Sequence, residues 1–524
     1  MRKLSTLFCA VLMTLSAMAT DYKGNLTVSI NGEGSTQPAT ISIVENAGKY
    51  NLSILNFMLG EGESVLPVGN IVIENVTGAV AGNLTTLYVN KNITIQKGNV
   101  AGIADDDWLG PMLGEVPVKM SSSFNTNGFL GVNIDIDMVS TLGQVIKVTF
   151  ENVGTHFQMP NSDFETWSNE NNAPKHWHGF ESVKGKLSGT AKSKTKLVSS
   201  KNVRPGSKGL TSAVVTSTKV FTVIANGTMT NGVLNAGSMS AADASNHSET
   251  DLSSTSKDAN GDPFATPMYA KPDSVKFWMR FTQAKAQASY PYAAFNAVIT
   301  DGTYYQDPEN KTYTNKVAVA APNKADMTVG DWRLVSCPFD YASYAANGAE
   351  AKAILLTVST NATPGKGSYS NGVADSVYVD DLELVYLADI KSVSFKGATL
   401  DLTNTDIDIA DDDVISASDF VVEKIGEDAK VTTLVEANAK GYQAVISVVS
   451  GDLNTQKTLV FNFNKPVWAD GDVNHDGVVD LADVTLLINK VLGADATQLY
   501  NPDVNADGKV DVADVTTLVS LILG

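Results

Sequence analysis

Short runs in which hydrophobic and polar residues alternate fill most of the first 465 positions of the chain. Between residues 21 and 154 the apolar positions repeat every second residue, as at Ile41 and Ile43, and turn pairs such as Asn31-Gly32 separate the runs. This pattern predicts strands with one buried face. The predicted strands are residues 26–30, 40–44, 50–55, 70–73, 93–96, 132–138 and 145–150.

About eight antiparallel strands in this length fit a small closed barrel. The region resembles the calycin-like β-barrel domains of exported proteins from gut Bacteroidetes, and the resemblance implies a barrel over residues 20–154. An eight-stranded barrel either encloses a small ligand or is filled by its own side chains. The sequence leaves both alternatives open.

A second β-rich region is predicted over residues 155–387. Its opening, N-x-D-F-E-x-W at 161–167, and its closing, V-D-D-L-E-L at 379–384, resemble the paired first and last strands of galactose-binding-like jelly rolls, as in carbohydrate-binding modules. The segment 261–281 is similar, more narrowly, to the "putative carbohydrate metabolism" domain of Bacteroidetes. Residues 240–260 are rich in Ser, Asp and Asn without periodicity, which predicts a surface loop.

The jelly-roll resemblance implies a structural calcium ion that ties the opening loop to the last strand. By that resemblance Glu165 and Asp381, with Asp163, would bind it. Polar capping of strand ends is the alternative interpretation of the same three acids.

Several tryptophans of this region are candidates for stacking on sugar rings, which are apolar on one face. Because tryptophan is mostly a core residue, each of them is equally open to a packing role. The triplet His176-Trp177-His178 is interpreted as a packed aromatic between two imidazoles, since no third metal ligand is identifiable nearby. The candidate glycan-binding residues are Trp177, Trp278 and Trp332.

Residues 388–465 contain further alternating runs at 392–395, 431–434, 444–449 and 458–463. These predict a small β-sandwich that serves as a spacer.

The segment from 466 to 524 contains an internal repeat. GDVNHDGVVDLADV at 471–484 recurs 31 residues later as PDVNADGKVDVADV at 502–515. Each copy places oxygen-bearing residues at positions one, three, five, nine and twelve of a 12-residue loop, with Gly sixth and a backbone carbonyl available from position seven. This spacing is the pattern of an EF-hand-like calcium loop.

The chemistry of the donors favours calcium, because a hard cation takes oxygen ligands whereas zinc prefers nitrogen or sulfur. His475 is the nearby nitrogen and occupies the non-ligating fourth position, so we expect it to be a surface side chain. The predicted ligands are Asp472, Asn474, Asp476, Val478, Asp480 and Asp483 in the first copy, and Asp503, Asn505, Asp507, Lys509, Asp511 and Asp514 in the second.

A helical apolar stripe follows each loop, at Leu481, Val484, Leu487, Ile488 and Val491 and again at Val512, Val515, Leu518, Val519 and Ile522. The pattern is therefore loop then helix, without the entering helix of an EF-hand. With Asp at position twelve and the tandem duplication, this tail resembles a type I dockerin, which implies two calcium ions and a cohesin partner.

In familiar dockerins, loop positions ten and eleven often carry Ser or Thr that contact the cohesin. In this chain those positions are Leu481-Ala482 and Val512-Ala513. The departure favours either an apolar partner face or packing against another part of the same chain. A calcium-stabilised cap without any partner is the further alternative.

The net charge of −19 argues against a nucleic-acid or anionic-membrane partner, because both require basic surface. The N-terminus combines Arg2 and Lys3 with an apolar run over 4–18 and an A-x-A site at 17–19, which predicts a signal peptide over residues 1–19 and export. Cys9 has no lipobox around it, and Cys337 is expected to be a buried strand thiol. No later apolar run is long enough to span a membrane.

The sequence therefore predicts a mainly β fold: a barrel (20–154), a jelly-roll sandwich (155–387), a small β-sandwich (388–465) and a helical calcium-loop module (466–524). The function we expect is that of a non-catalytic accessory that binds a glycan in polysaccharide catabolism and docks through calcium. A glycoside hydrolase and a structural surface protein are the alternatives. No catalytic residues are predicted, since acids are too common for the sequence to select a pair. The exported protein would be secreted, periplasmic or at the outer-membrane surface.

Overall fold

The computed structural model describes residues 19–60, 65–152, 157–168, 173–192, 196–494 and 499–524. The predicted signal peptide lies outside the described residues except for Ala19. The described residues form two compact units. The first lies within Met1–Ser392, Val422–Thr432 and Ile446–Thr458, and the second within Val393–Val421, Thr433–Val445 and Leu459–Gly524.

The barrel consists of eight antiparallel strands in sequence order, and β1 pairs with β8 to close it. Inward side chains alternate along each strand, as with Tyr22, Leu26 and Val28 on the first. Gly24 lies at the end of the pairing between β1 and β8, opposite Asn152, and a Cβ there would be 2.0 Å from the carbonyl oxygen of Glu151. The strands are β1 (Ala19–Ile30), β2 (Glu33–Asn46), β3 (Lys49–Leu59), β4 (Leu66–Ala81), β5 (Leu84–Thr94), β6 (Glu115–Asn125), β7 (Leu130–Met138) and β8 (Gln144–Asn152), with short helices α1 (Leu109–Met112) and α2 (Val139–Leu142).

The interior of the barrel is filled by its own side chains. The described residues enclose an apolar space of ≈ 40 Å³, lined by aliphatic side chains and Phe57. This volume has room for only about one to three water molecules. Of the two alternatives that the sequence left open, the structure favours the filled barrel over a ligand-binding one.

The sequence prediction of the barrel strands was incomplete. Strand β6 was missed because Pro117 and the serines at 121–123 are typical of loops. Strand β5 was placed too late, at residues 93–96. Pairing on both sides with neighbouring strands outweighs these weak local signals.

The next part of the chain is a sandwich of two main sheets. One has the strand order β21-β17-β25-β10-β9, and the other has the order β13-β22-β18-β20 with β16 at its side. A third sheet, β14-β15-β19, and two hairpins lie beside them. The elements are α3 (Ser188–Ala191), β9 (Lys196–Ser200), β10 (Ser212–Thr216), β11 (Thr218–Val220), β12 (Val223–Ala225), β13 (Thr228–Thr230), β14 (Val233–Ala236), β15 (Asn246–Thr250), β16 (Thr266–Pro267), β17 (Ser274–Thr282), β18 (Ala294–Thr300), β19 (Tyr305–Asp307), β20 (Lys316–Ala320), β21 (Gly330–Pro338), β22 (Ala353–Ser359), β23 (Tyr369–Ser370), β24 (Val373–Ala374) and β25 (Ser376–Val385).

The core of the sandwich lies between the two main sheets. Phe277 and Phe295 stack there with their ring centroids 4.1 Å apart. Cys337 belongs to the same core and is 1% exposed, as expected for a strand thiol. Burial raises the pKa of this thiol to about 12, so it stays protonated at neutral pH.

Two expectations about this sandwich were wrong. The predicted opening strand at 161–167 is an irregular turn, although it does lie against the last strand, where Leu382 N–H donates to the Ser162 carbonyl (2.9 Å). The segment 240–260, predicted as a surface loop, contains strand β15, in which Ser248 is 1% exposed. Its polar composition concealed the strand because polar residues line both of its faces.

The small β-sandwich contains two sheets, with the orders β27-β26-β29 and β28-β32-β31-β30. All four runs predicted for it lie in strands. Phe395, Phe420 and Phe463 contact one another between the sheets, with ring centroids 4.7 to 5.7 Å apart. The strands are β26 (Asp389–Phe395), β27 (Ala398–Thr399), β28 (Asp406–Asp408), β29 (Phe420–Ile425), β30 (Lys430–Asn438), β31 (Gly441–Val449) and β32 (Gln456–Asn464).

Two helices, α4 (Leu481–Val491) and α5 (Val512–Leu523), follow the two predicted loops. Val484, Leu487 and Leu518 form the buried centre of their contact. Within the described residues, no helix is long and apolar enough to cross a membrane.

Candidate functional site: two acidic loops and an aromatic sheet face

The first acidic loop, residues 472–483, is organised by its own carboxylates. Asp472 accepts hydrogen bonds from the backbone N–H groups of Asp476 (3.2 Å) and Gly477 (3.0 Å). At the other end, Asp483 accepts from the N–H groups of Val473 (2.9 Å) and Asn474 (3.1 Å). The first and twelfth residues therefore fold the loop around their side-chain oxygens.

The second loop, residues 503–514, repeats this arrangement. Asp503 accepts from the N–H groups of Asp507 (3.1 Å) and Gly508 (2.8 Å), and Asp514 accepts from Asn505 N–H (3.1 Å). The sequence repeat is thus also a repeat of hydrogen bonds.

Both loops turn sharply at the same two positions. The fourth residue has a left-handed backbone in each copy, with φ of 55° at His475 and 57° at Ala506. The sixth residue is Gly477 or Gly508, with φ of 90° and 86°. Glycine adopts such angles without steric cost, and this explains why it occupies position six of each copy.

The ninth and twelfth residues also begin the helices. Asp480 and Asp511 are the N-caps of α4 and α5, and each accepts from the N–H group two residues later. Asp483 and Asp514 complete the capping boxes, because they accept from the N–H groups of these same N-caps. Loop and helix are therefore coupled through the same carboxylates.

Two loop carboxylates are completely buried. Asp483 and Asp514 are 0% exposed, and Asp472 is 3% exposed. Backbone hydrogen bonds, chiefly from Asp511 N–H, lower the pKa of Asp514 below its usual value. In the described part of the chain, none of the ion pairs formed by lysine or arginine involves these three acids. In the described residues the partners of these three carboxylates are backbone N–H groups, and no lysine or arginine neutralises their charge.

The donors fit calcium. Each loop supplies four Asp carboxylates and one Asn amide, and Val478 and Lys509 at position seven each have a backbone carbonyl. Across the described residues, no three His, Cys, Asp or Glu side chains form a ready metal cluster. The loop carboxylates instead point to backbone N–H groups, so calcium would have to turn several of them toward the ion.

His475 is not the surface side chain that we expected. It stacks between Trp468 and Tyr500, with ring centroids 4.5 and 3.9 Å away. Its Nδ1 lies 3.6 Å from a carboxylate oxygen of Asp411. The left-handed backbone at position four turns the ring out of the loop, where aromatic neighbours cover it.

The residues predicted to contact a partner lie at the solvent surface. Leu481 is 74% exposed and Val512 is 66% exposed, and Ala482 and Ala513 beside them are exposed as well. The duplicated loops place these two pairs at equivalent positions, in the first turn of each helix. Both alternatives that the sequence left open, an apolar partner face and packing against another part of the chain, stay predictions.

The three acids proposed for a second calcium site have protein partners. Arg204 forms an ion pair with Asp381. Glu165 accepts from Leu210 and Thr211 N–H groups, both at 2.9 Å, and Asp163 accepts from Glu165 N–H. A metal at this place stays a prediction, because it would have to displace Arg204.

Of the three candidate glycan-binding tryptophans, Trp177 does not fit the role. It is 2% exposed, packs on Phe164 and donates to the Asn161 carbonyl (3.1 Å). His178 beside it is fully buried, and burial lowers its pKa. The packed interpretation of this triplet is therefore the better one, and a sugar has no access to Trp177.

Trp278 and Trp332 are half-buried on the outer face of the sheet that contains β17, β21 and β25. Trp332 contacts Tyr378 edge-on, with the two ring centroids 6.2 Å apart. Two arginines lie over this aromatic face. Arg204 is 5.2 Å from the Trp278 ring, and Arg280 is 5.5 Å from the Tyr378 ring. Tyr378 and both arginines were not among the residues predicted from the sequence, although the alternation in β17 and β25 could have placed Arg280 and Tyr378 on the outer face.

These features define a class: a chain with a closed β-barrel, a β-sandwich and a duplicated acidic loop-helix tail. Two family models match it. Residues 18–153 match the calycin-like beta-barrel domain, and residues 470–523 match the dockerin type I domain. Type I dockerin domains bind calcium and dock onto cohesins. No curated protein matches the chain.

Among solved structures, one match is a protein described as a "putative outer membrane protein" from Bacteroides fragilis, at 9% identity and a TM-score of 0.17, covering 65% of this chain and 96% of that one. Another is the N-terminal CBM22-1-CBM22-2 tandem domain of Xyn10C from Paenibacillus barcinonensis, at 10% identity and a TM-score of 0.21, covering 70% and 92%. At such TM-scores neither likeness carries an argument about fold or function.

Proposed function

We propose that this chain is a calcium-dependent docking protein. Its C-terminal module folds around a calcium ion in each acidic loop and presents the first turns of α4 and α5 to a cohesin-type partner. The observation that carries the proposal is the pair of matching loops, whose buried carboxylates also cap the two helices. Calcium binding, the fold of each loop and the position of the partner face therefore depend on the same carboxylates.

The exposed pairs Leu481-Ala482 and Val512-Ala513 define the partner's chemistry. Because they are apolar and uncharged, they suit a cohesin with an apolar recognition surface, where burying them from water contributes to binding. The duplication also provides two equivalent faces, so the loss of one face leaves the other available.

The test uses the full chain and a panel of cohesin domains, with binding measured by biolayer interferometry in calcium and in chelator. We expect binding in calcium alone, and loss of binding in the double variant Leu481→Ser, Val512→Ser. The matched control is Val467→Ser, an exposed valine outside the loops. Calcium uptake without cohesin binding would favour the partner-free cap instead.

A second candidate function is glycan binding by the sandwich. The observation that favours it is the aromatic sheet face of Trp278, Trp332 and Tyr378, on which arginines provide hydrogen-bond donors beside the rings. Sugars combine apolar ring faces with hydroxyl groups, and such a surface suits both.

A glycan array with the full chain tests this second function. We expect the double variant Trp278→Ala, Trp332→Ala to lose binding to the glycans recognised by the wild type. Trp167→Ala, at a tryptophan that is 41% exposed outside these strands, is the control. Retained binding in the double variant would show that this face is not the glycan-binding surface.

A further inference from the structure

The sandwich contains a cavity of ≈ 450 Å³ that none of the predicted site residues lines. Its floor is the outer face of the sheet formed by β13, β22 and β18. On this floor Thr228 pairs with Ser359, and Asn296 pairs with Thr357, in adjacent strands. Protein pockets of this size commonly hold a small ligand.

The walls of the cavity are apolar. They come from the hairpin β11–β12 on one side, from the strands β14 and β15 on another, and from segments that flank them. The apolar lining residues include Leu187, Val220, Val223, Leu234, Met239 and Ala241. The cavity thus combines an amide and hydroxyl floor with aliphatic walls.

Three buried polar atoms in the lining have no hydrogen-bond partner in the described protein. They are the Oδ1 atom of Asn226, the Oγ atom of Ser248 and the Oγ1 atom of Thr357. Buried polar atoms are nearly always paired, because leaving one unpaired costs free energy. All three belong to residues that line this one cavity, but each atom is covered by its neighbours, so a ligand would pair with it after a rotation of the side chain.

The charge of the lining narrows the class of ligand. Among the described lining residues there is no Lys or Arg, and Asp307 is the single acid. His247 also lines the cavity, but both of its ring nitrogens already have partners, the Ala244 carbonyl and the Glu249 carboxylate. Burial raises the pKa of Asp307, although Asn296 hydrogen-bonds to it. An anionic ligand would meet no counter-charge here, so the cavity selects against carboxylates and phosphates.

The floor also selects against a purely apolar ligand. An acyl chain would fit the walls but would leave the three unpaired atoms and the remaining hydroxyl groups without partners. A neutral molecule with several hydroxyl groups satisfies both surfaces, because its C–H groups contact the aliphatic walls and its O–H groups reach the floor. The volume corresponds to roughly 15 waters at about 30 Å³ each, which suits a ligand of at least one sugar ring.

We propose that this cavity is a binding site for a neutral saccharide unit, with Asn226, Ser248 and Thr357 as hydrogen-bonding residues. The inference rests on the second proposed function, glycan binding by the sandwich, and gives it a site separate from the aromatic sheet face. The lining has only one carboxyl group, whereas glycoside hydrolysis generally uses two. The site is therefore one of recognition rather than cleavage.

The test is isothermal titration calorimetry of the full chain in calcium with glucose, galactose, xylose, N-acetylglucosamine and their common disaccharides. Glucuronate and palmitate are the anionic and apolar comparisons. We expect binding of at least one neutral sugar, with affinity reduced roughly 3- to 10-fold by Thr357→Val and by Ser248→Ala, and further in the double variant. Ala294→Leu, which fills the floor, should abolish binding.

Thr357→Val and Ser248→Ala remove hydroxyl groups without a protein partner, so their melting temperatures should equal or exceed that of the wild type. Thr94→Val, at an exposed position of barrel strand β5, is the matched control for both the calorimetric titration and the melting temperature. A clearly lowered melting temperature in the two cavity variants would show that these hydroxyl groups serve the fold, and would overturn the assignment.

Other outcomes separate this inference from the function on which it rests. Sugar binding that survives the cavity variants but is lost in Trp278→Ala, Trp332→Ala overturns the cavity site and keeps glycan binding. Binding of palmitate or glucuronate in place of neutral sugars overturns the ligand class. No binding of any sugar or glycan overturns both proposals.

Discussion

At the scale of single residues, the buried aspartates of the tail carry two roles at once. Asp483 is the twelfth loop residue and also the third residue of α4, and all its hydrogen bonds come from backbone N–H groups. A calcium ion would replace some of these hydrogen bonds with a stronger interaction with the carboxylate. Loss of the charge should therefore affect the metal more than the fold.

Replacement of Asp483 by Asn keeps the size of the side chain and removes its charge. We expect calcium affinity of the first loop to fall by about tenfold or more, because ligand charge sets the affinity of such loops. Because one of the two acceptor oxygens becomes an NH₂ group, which cannot accept the N–H bonds it now receives, helix stability should fall by on the order of 1 kcal/mol in addition. Calorimetric titration with calcium measures the first effect. Asp470→Asn, an exposed acid just outside the loop, should leave affinity nearly unchanged.

A second residue, Asp380, predicts a pH dependence for the sandwich. It is 0% exposed, and burial is the main cause that raises its pKa to about 6. The folded protein thus binds this proton more tightly than the unfolded chain, whose Asp pKa is about 3.9. Ionisation of Asp380 should therefore lower the stability of the folded protein as the pH rises from about 4 to about 6, and should cause no further loss above about pH 6.

Melting curves of the wild type and of Asp380→Asn between pH 4 and 7 test this expectation. The variant should lack the part of the pH dependence that Asp380 causes, so that the wild type loses stability relative to it across this range. Asp331→Asn, at a carboxylate that is 89% exposed, provides the comparison. Parallel curves for wild type and Asp380→Asn would contradict the raised pKa.

At the scale of elements, the sequence was most informative where spacing and chemistry coincide. The helices α4 and α5 begin where the loop pattern predicts, because Asp at position nine is an N-cap as well as a loop residue. Strand β6 was missed because its proline and serines hide the alternation, and its pairing depends on β5 and β7. Its stability lies in long-range contacts that local pattern does not record.

Two leucines in or next to α4 differ strongly in burial. Leu487, from the predicted apolar stripe, is 0% exposed in the small core between the helices, whereas Leu492, the residue that follows α4, is 77% exposed. We expect Leu487→Ala to destabilise the module by about 2–5 kcal/mol and Leu492→Ala to have little effect. Hydrogen exchange of the two helices in the full chain measures both. Equal protection in the two variants would contradict the packing described.

At the scale of the whole molecule, the mainly β architecture with a helical tail was predictable, but the cavity of the sandwich was not. Its lining comes from segments between Phe180 and Gly365 that are far apart in sequence, and consists mostly of small residues without a motif. Ser248 illustrates the difficulty, since it lies in a polar stretch that has no strand pattern. Only the assembled sheets show that this hydroxyl group is buried.

For the whole molecule we also expect that calcium orders the tail and so determines whether the chain docks. Between residues 466 and 524 there are ten Asp and two Lys, a net charge of −8 on a module with a small core. Without a cation, repulsion opposes folding; with calcium at about 100 times its Kd, binding at each site adds about 2.7 kcal/mol to stability.

Hydrogen–deuterium exchange of the full chain, in calcium and in chelator, tests this claim most directly. The account predicts strong protection of Leu481–Val491 and Val512–Leu523 in calcium, loss of that protection in chelator, and unchanged exchange in barrel strand β7. Magnesium at the same concentration should restore less protection, because it demands a tighter, more regular shell. Equal protection of the two helices with and without calcium would contradict the account.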